Sequence, residues 1–138
     1  MFKLFWSLVQ TFLIDAIINS PKAPAPIGPY SQAIKFGDTL YVSGQIPIDQ
    51  SAGTLVEGSI EEETDQVMKN LSYILEEAGL TFGQVIKCSI FVSNMGNFAK
   101  VNEVYGKYFT ENPPARETVE VSGLPKGVNV EISCIASY

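Results

Sequence analysis

The chain has 138 residues, enough for one domain with a substantial core and too few for two. Its formal net charge is −6, which disfavours nucleic acid and anionic membranes as partners. It has no histidine and only two cysteines, which excludes serine–histidine catalysis, a histidine pH switch and histidine-based or thiol-rich metal sites.

The first fourteen residues are apolar, with a single lysine. This run is too short to span a membrane. It loosely resembles a signal peptide, but the nearest small-residue cleavage motif, Ala23-Pro24-Ala25, lies inside the loop that follows. We therefore predict an extension over residues 1–16, a single domain over residues 17–138 and a cytoplasmic protein.

Residues 20–32 contain four prolines, which excludes a helix and favours a stiff loop. The next segment predicts a β-hairpin, with strands at 33–36 and 39–43 joined by a two-residue Gly-Asp turn. A polar loop with two glycines follows over residues 49–58.

Two helices are predicted. The first runs from Ser59 to Ala78, because Ser59 and Glu62 form a capping-box pattern and Gly79 supplies a stop. The second runs from Asn97, as its cap, to about Thr110. Its inward stripe is predicted to comprise Phe98, Val101, Tyr105, Tyr108 and Phe109.

Three further strands are predicted, over residues 85–93, 116–121 and 128–136. In the first of these, Ile86, Cys88, Ile90 and Val92 should share one face. Cys88 and Cys134 lie on apolar strand faces, which favours buried structural thiols over a disulfide or a nucleophile.

The resulting element order is β-β-α-β-α-β-β, typical of an α+β protein with two helices on one face of a single mixed sheet. We expect the other face to carry Arg116, Thr118, Glu131 and Ser133 or their neighbours, among apolar groups. Nothing in the chain remains to cover that face, which indicates a subunit interface with a ligand site.

Three polar residues are candidates for function. Arg116 is the only arginine, and a guanidinium can grip a carboxylate with two parallel hydrogen bonds, although a surface salt bridge is the alternative. Asn102 lies on the inward stripe of the second helix and either serves the site or bonds to loop backbone. Glu131 lies inside the last strand and is either paired and functional or turned to water.

Five sequence blocks occur in order, at residues 25–33 (APIGPYSQA), 42–47 (VSGQIP), 97–105 (NFAKVNEVY), 114–116 (PAR) and 124–132 (LPKGVNVEI). Together they resemble the RidA branch of the YjgF family, also known as the endoribonuclease L-PSP or translation initiation inhibitor family. The resemblance runs from about residue 18 to the C-terminus.

The resemblance implies a chorismate-mutase-like fold and a homotrimer with active sites between subunits. It also implies a hydrolase, a 2-iminobutanoate/2-iminopropanoate deaminase. Such an enzyme converts reactive enamines and imines, such as 2-aminoacrylate and 2-aminocrotonate, into 2-oxo acids and ammonia. No cofactor or metal is implied, and no nucleic-acid or membrane partner is expected.

Carried over residue by residue, the resemblance implies that Arg116 holds the substrate carboxylate and that Glu131 positions or activates the attacking water. Tyr30 would line the cleft, while Ser43 and Gly44 would form the wall near the reacting carbon. The substrate-binding set is completed by Asn102, which helps hold the site, and by Thr118.

Thr118 stands where the family often has a cysteine, so a mechanism that depends on a thiol there is not expected. Two alternatives to the deaminase stay open. One is a non-catalytic trimer that binds a 2-oxo acid or another small carboxylate. The other, less favoured because the chain lacks a basic surface run, is a ribonuclease or translation inhibitor.

Overall fold

The computed structural model describes residues 16–138. Its strands are β1 (Ala16–Ile18), β2 (Ala33–Phe36), β3 (Thr39–Gln45), β4 (Ile48–Asp49), β5 (Thr54–Leu55), β6 (Val85–Val92), β7 (Ala115–Glu120) and β8 (Val130–Ser137). Its helices are α1 (Ile60–Glu77) and α2 (Phe98–Tyr108). Short 3₁₀ turns occupy Phe82–Gln84, Met95–Asn97 and Pro125–Gly127.

The main sheet has six strands in the order β1-β2-β3-β8-β6-β7. Only the β6–β7 pair is parallel, so the sheet is mixed, as predicted. All the predicted strands are present, and their ends agree with the structure to within two residues. Two features were not predicted, because strands of two or three residues leave no periodic signal: β1, which pairs with β2, and the β4–β5 hairpin.

The predicted extension over residues 1–16 lies outside the described residues except for Ala16. That residue is part of β1 and pairs with Lys35.

Helix α1 begins as the sequence predicts. The Ser59 hydroxyl accepts a hydrogen bond from the Glu62 backbone N–H at 3.2 Å, and the Glu62 carboxylate accepts one from the Ser59 N–H at 2.9 Å. Beyond its end, Gly79 has a φ of 77°, in the left-handed region that favours glycine. Helix α2 differs, because Asn97 forms no capping hydrogen bond and a 3₁₀ turn leads into the helix instead.

Both helices pack against one face of the sheet. The core between them consists mainly of α1 residues and of alternate residues of β6 and β8: Val67, Met68, Leu71, Ile74, Leu75, Cys88, Ile90, Val92, Val130, Ile132, Cys134 and Ala136. The Tyr108 hydroxyl donates to the Asp65 carboxylate at 2.5 Å, which ties α2 to α1. The alternation predicted for β8 is confirmed over the whole strand.

Two predicted core positions are wrong. Ile86 is 53% exposed, because the register between β6 and β8 shifts at Val85–Lys87 and turns the intervening side chain outward. Phe98, the first residue of α2, is 39% exposed, and its ring lies beside the Arg116 guanidinium rather than in the core.

The expected face of Arg116 and Thr118 is also wrong. In the parallel β6–β7 register, Arg116 pairs with Cys88 and Thr118 pairs with Ile90, so both point to the helix-covered side. Glu131 pairs with Phe91 in β8–β6 and faces the open side, as predicted. The sheet therefore separates Arg116 from Glu131 within one chain.

Candidate active site

A groove of about 340 Å³ lies on the open side of the sheet, between the proline-rich loop and the end of β3. Four of the predicted site residues, Tyr30, Ser43, Gly44 and Glu131, line it together. The remaining wall is largely apolar and comprises Pro24, Ala25, Ile27, Gln45, Ile46, Ile48 and Pro125. The groove is therefore a mainly apolar surface that contains one carboxyl group, that of Glu131.

The Glu131 carboxyl lies directly against the Gly44 backbone. A methyl group built on Gly44 would come within 2.8 Å of Glu131 Oε1 and 2.9 Å of Cδ, closer than real contacts allow. The register of β3 with β8 is irregular between Val42 and Gln45, so Gly44 lies where the strand departs from regular pairing. Gly44 thus leaves the space that the carboxyl group of Glu131 occupies.

Burial raises the pKa of Glu131 above its ordinary value. No other cause contributes, so no described cation of the same chain stabilises the carboxylate. A carboxyl group of this kind is suited to accept a proton from a bound water, provided that it is ionised at the working pH.

Tyr30 and Ser43 form hydrogen bonds that hold the proline-rich loop at the groove. The Tyr30 hydroxyl accepts a hydrogen bond from the Ile27 N–H at 3.2 Å, and the ring is 46% exposed. The Ser43 hydroxyl donates to the Ser31 carbonyl at 2.6 Å. Both hydroxyls therefore have a loop partner, and the tyrosine ring remains open to a ligand or a second subunit.

Arg116 lies in a different place, a crevice between β7 and α2. Its guanidinium carbon is 4.9 Å from the centre of the Tyr105 ring and 5.7 Å from that of Phe98. These distances are typical of cation–π contacts, which hold the guanidinium without using its N–H groups. Among the described residues, no carboxylate forms a salt bridge with Arg116. The alternative of an ordinary salt bridge is therefore not seen within the described part of the chain.

The crevice contains two polar atoms without partners. Asn102 Oδ1 and Thr118 Oγ1 are buried and have no hydrogen-bond partner within the described part of the chain, whereas the Tyr105 hydroxyl lies against the Cys88 thiol. Asn102 lies one helical turn before Tyr105, and Thr118 follows Arg116 on the same face of β7. Buried polar groups usually have hydrogen-bond partners, so these two atoms are candidates for contact with a ligand.

The seven predicted site residues thus fall into two sets. Tyr30, Ser43, Gly44 and Glu131 line the groove, which we call the carboxyl half-site. The other set, which we call the guanidinium half-site, comprises Asn102, Arg116 and Thr118. Because the sheet lies between the two sets, Arg116 and Glu131 of one chain face in opposite directions.

Two buried amides were not recognised from the sequence. Gln32 is 2% exposed and bonds to the proline-rich loop, and Asn70 is fully buried and bonds to the segment after β3. Gln32 belongs to the block at residues 25–33, and Asn70 is a polar residue within the α1 pattern, which is the signal that could have identified them.

The cysteines are structural, as predicted: Cys88 and Cys134 are free and buried, and burial raises the pKa of both thiols. Over residues 16–138, no group of three or more carboxylate or thiol side chains is placed to hold a metal ion. The same part of the chain has no helix with the length and apolar character needed to cross a bilayer.

Comparison with known proteins identifies the family. The endoribonuclease L-PSP family model matches residues 20–138. A RutC family protein of Pyrococcus abyssi is 52% identical over 120 residues, which cover 87% of this chain and 94% of the relative. The 2-iminobutanoate/2-iminopropanoate deaminase of mouse is 46% identical over 124 residues, which cover 90% of this chain and 92% of the enzyme.

Solved structures agree. A Rid family protein of Yersinia pestis superposes with a TM-score of 0.87 at 50% identity, covering 89% of this chain and 98% of that chain. TdcF of E. coli with bound serine superposes with a TM-score of 0.86 at 35% identity, covering 89% and 98%. With its fold, its two half-sites and these matches, the chain belongs to the endoribonuclease L-PSP family, the YjgF/Rid family.

Proposed function

We propose that this protein is a 2-iminobutanoate/2-iminopropanoate deaminase, which hydrolyses 2-imino acids to 2-oxo acids and ammonia without a cofactor. One observation carries the proposal: the guanidinium of Arg116 is held by aromatic rings, has no described carboxylate partner and lies in a crevice with unpartnered polar atoms. This environment suits the carboxylate of a small substrate. Relatives named as this deaminase share about half of the sequence.

Hydrolysis of a 2-imino acid requires only that the protein orient the substrate and transfer a proton. A 2-imino acid has one fixed negative charge and one electrophilic carbon, and two charge-assisted hydrogen bonds from Arg116 would orient it, each worth about 1.5–3 kcal/mol. Glu131 would take a proton from the attacking water as the water oxygen adds to the imine carbon, and would pass that proton to the nitrogen. The carbinolamine would then lose its O–H proton and expel ammonia, which leaves the 2-oxo acid. Because imines hydrolyse in water unaided, proximity and orientation supply much of the required acceleration.

In this proposal the active site lies between subunits of a homotrimer. Arg116, Asn102 and Thr118 of one subunit face the groove that contains Glu131 and Gly44 of its neighbour. The opposite orientation of the two half-sites on one sheet supports this arrangement. It also accounts for the open sheet face and its exposed apolar residues, such as Tyr41 and Val119, which a partner subunit would cover.

A carboxylate-binding trimer without catalysis is the second candidate. It is favoured because Arg116, which has no carboxylate partner among the described residues, would by itself suffice to hold a carboxylate, whereas turnover would also need Glu131. The serine bound to TdcF is likewise a small carboxylate-bearing molecule, and that protein is 35% identical to this one. Ribonuclease activity is disfavoured by the net charge of −6 and the single arginine.

The test is a coupled assay in which a pyridoxal-phosphate enzyme generates 2-aminoacrylate and the release of 2-oxo acid is followed. Arg116→Lys retains the charge but loses the two-pronged geometry, so kcat/KM should fall by about 10- to 100-fold. Lys100→Ala, which removes an exposed cation from α2, is the matched control and should leave the rate unchanged. Full activity of Arg116→Lys would count against the clamp.

Glu131→Gln separates the enzyme from the binding protein. In a deaminase, this variant should still bind 2-oxobutyrate and lose turnover, while Glu103→Gln, an exposed carboxylate on α2, should behave as wild type. A wild-type protein that binds 2-oxobutyrate without accelerating imine hydrolysis would instead support the second candidate.

A further inference from the structure

The wall of the groove formed by the proline-rich loop is held by one buried side chain, that of Gln32. Gln32 is 2% exposed, and its Oε1 accepts a hydrogen bond from the Ser20 N–H at 2.6 Å. Its Nε2 donates to the carbonyl oxygens of Ser20 at 3.2 Å, Ala23 at 3.4 Å and Pro24 at 2.9 Å. Pro24 lines the groove, so a single amide fixes this wall to the end of the loop where β2 begins.

The opposite wall, formed by the segment after β3, is held by a second buried amide, that of Asn70. Asn70, on α1, is fully buried, and its Nδ2 donates to the carbonyls of Ile46 at 3.1 Å and Ile48 at 2.9 Å. Its Oδ1 accepts from Gln66 at 2.9 Å. Ile46 and Ile48 both line the groove. Through Asn70, helix α1 therefore holds this wall in place.

The two walls need such support because they lie outside the main sheet. The prolines of residues 20–32 have no N–H to donate, and the carbonyls of Ala23 and Pro24 would be buried without a partner if Gln32 were absent. A glutamine amide both donates and accepts hydrogen bonds without carrying a charge. Methionine could fill the space of Gln32 but could not pair these carbonyls.

We infer that Gln32 and Asn70 are positioning residues that set the width of the groove and so the place of the substrate beside Glu131. They touch no substrate in this arrangement and act through Pro24, Ile46 and Ile48. The inference rests on the proposed function for its kinetic consequence. The mechanical link between each amide and its wall rests on the hydrogen bonds alone.

The test uses Gln32→Met in the full-length protein, with two readouts. Amide hydrogen exchange of residues 20–30 should accelerate by at least about tenfold at Ser20, while strand β8 keeps its protection. In the coupled imine assay, kcat/KM should fall by about 10- to 100-fold, since a displacement of about 1 Å near the chemistry has effects of this size. Gln84→Met is the matched control, because it unpairs the Thr81 N–H outside the groove.

Each outcome decides the matter. A folded Gln32→Met trimer with wild-type exchange and wild-type kcat/KM overturns the inference, and so does accelerated exchange with unchanged kinetics. If Gln32→Met fails to fold, Asn70→Ala tests the same claim on the other wall, with exchange followed at Ile48. If the wild type itself has no deaminase activity, the proposed function fails, and the exchange readout alone then upholds or refutes the mechanical link.

Discussion

Two inactive variants should restore each other's activity if the active site is shared between subunits. Arg116 and Glu131 lie on opposite faces of the sheet, so in the proposed trimer each site would take one of these residues from each of two neighbours. In a mixed ring of Arg116→Ala and Glu131→Gln subunits, a site is intact only where a subunit with Arg116 meets a neighbour with Glu131. For equal amounts and random association that probability is one half times one half, so about one quarter of the wild-type activity should return.

The assay mixes the two variants during reassembly from mild denaturant and follows 2-oxo acid release. Activity should vary with the mixing ratio as the product of the two fractions, falling to about one sixth of wild type at a ratio of four to one. Native mass spectrometry confirms that mixed trimers form.

A negative control comes from the same half-site. Arg116→Ala mixed with Asn102→Ala should restore nothing, because both changes damage the same side of every interface. Verified mixed trimers of Arg116→Ala and Glu131→Gln that stay inactive would refute the shared site.

Three individual contacts can be tested by single substitutions. Gly44→Ala should lower kcat by about 10- to 100-fold with little change in the unfolding midpoint, because a methyl group at 2.8 Å from Oε1 displaces the flexible Glu131 side chain rather than the backbone. Thr118→Val should raise the thermal midpoint slightly, because it removes a buried hydroxyl without a partner, and should weaken binding of 2-oxobutyrate, measured by calorimetry. In Arg116→Ala the pKa of Glu131, followed by carbon NMR of the carboxyl group, should be higher than in wild type, because burial then acts without a neighbouring cation.

Gly106→Ala is the matched control for Gly44→Ala. With nothing within 4 Å of the added methyl group, it should stabilise α2 by about 1 kcal/mol and leave kcat unchanged.

The pKa of Glu131 is raised in the folded state, so the folded protein binds this proton more tightly than the unfolded chain does. The free energy of unfolding of Arg116→Ala should therefore decrease as the pH rises from the ordinary glutamate pKa through the raised pKa of Glu131. Equal kcat for Gly44→Ala and wild type, equal ligand affinity for Thr118→Val, or an unchanged carboxyl pKa would each contradict the corresponding contact.

Much of the framework could be predicted from local patterns. The Ser59–Glu62 capping box and the alternation along β8 are readable because each depends on neighbours within a few residues. The candidate residues were recognisable for a similar reason: a sole arginine and a glutamate inside an apolar strand stand out in the sequence itself.

Other features depended on contacts between distant segments. The alternation of side chains along a strand predicts that Arg116 and Thr118 share a face of the sheet, but it does not predict which face. The register of β7 with β6 determines that both residues face the helices. The outward turn of Ile86 came from a bulge that no local pattern announces.

The composition of this chain by itself excluded catalysis by histidine and singled out one arginine, and local periodicity determined most of the segments that became helices and strands. Only the tertiary structure decided that Arg116 and Glu131 lie on opposite faces, and that Gln32 and Asn70 hold the walls beside Glu131. The physical reason is that strand register and side chain–backbone hydrogen bonds join residues far apart in the chain, and their geometry exists only after the sheet has formed.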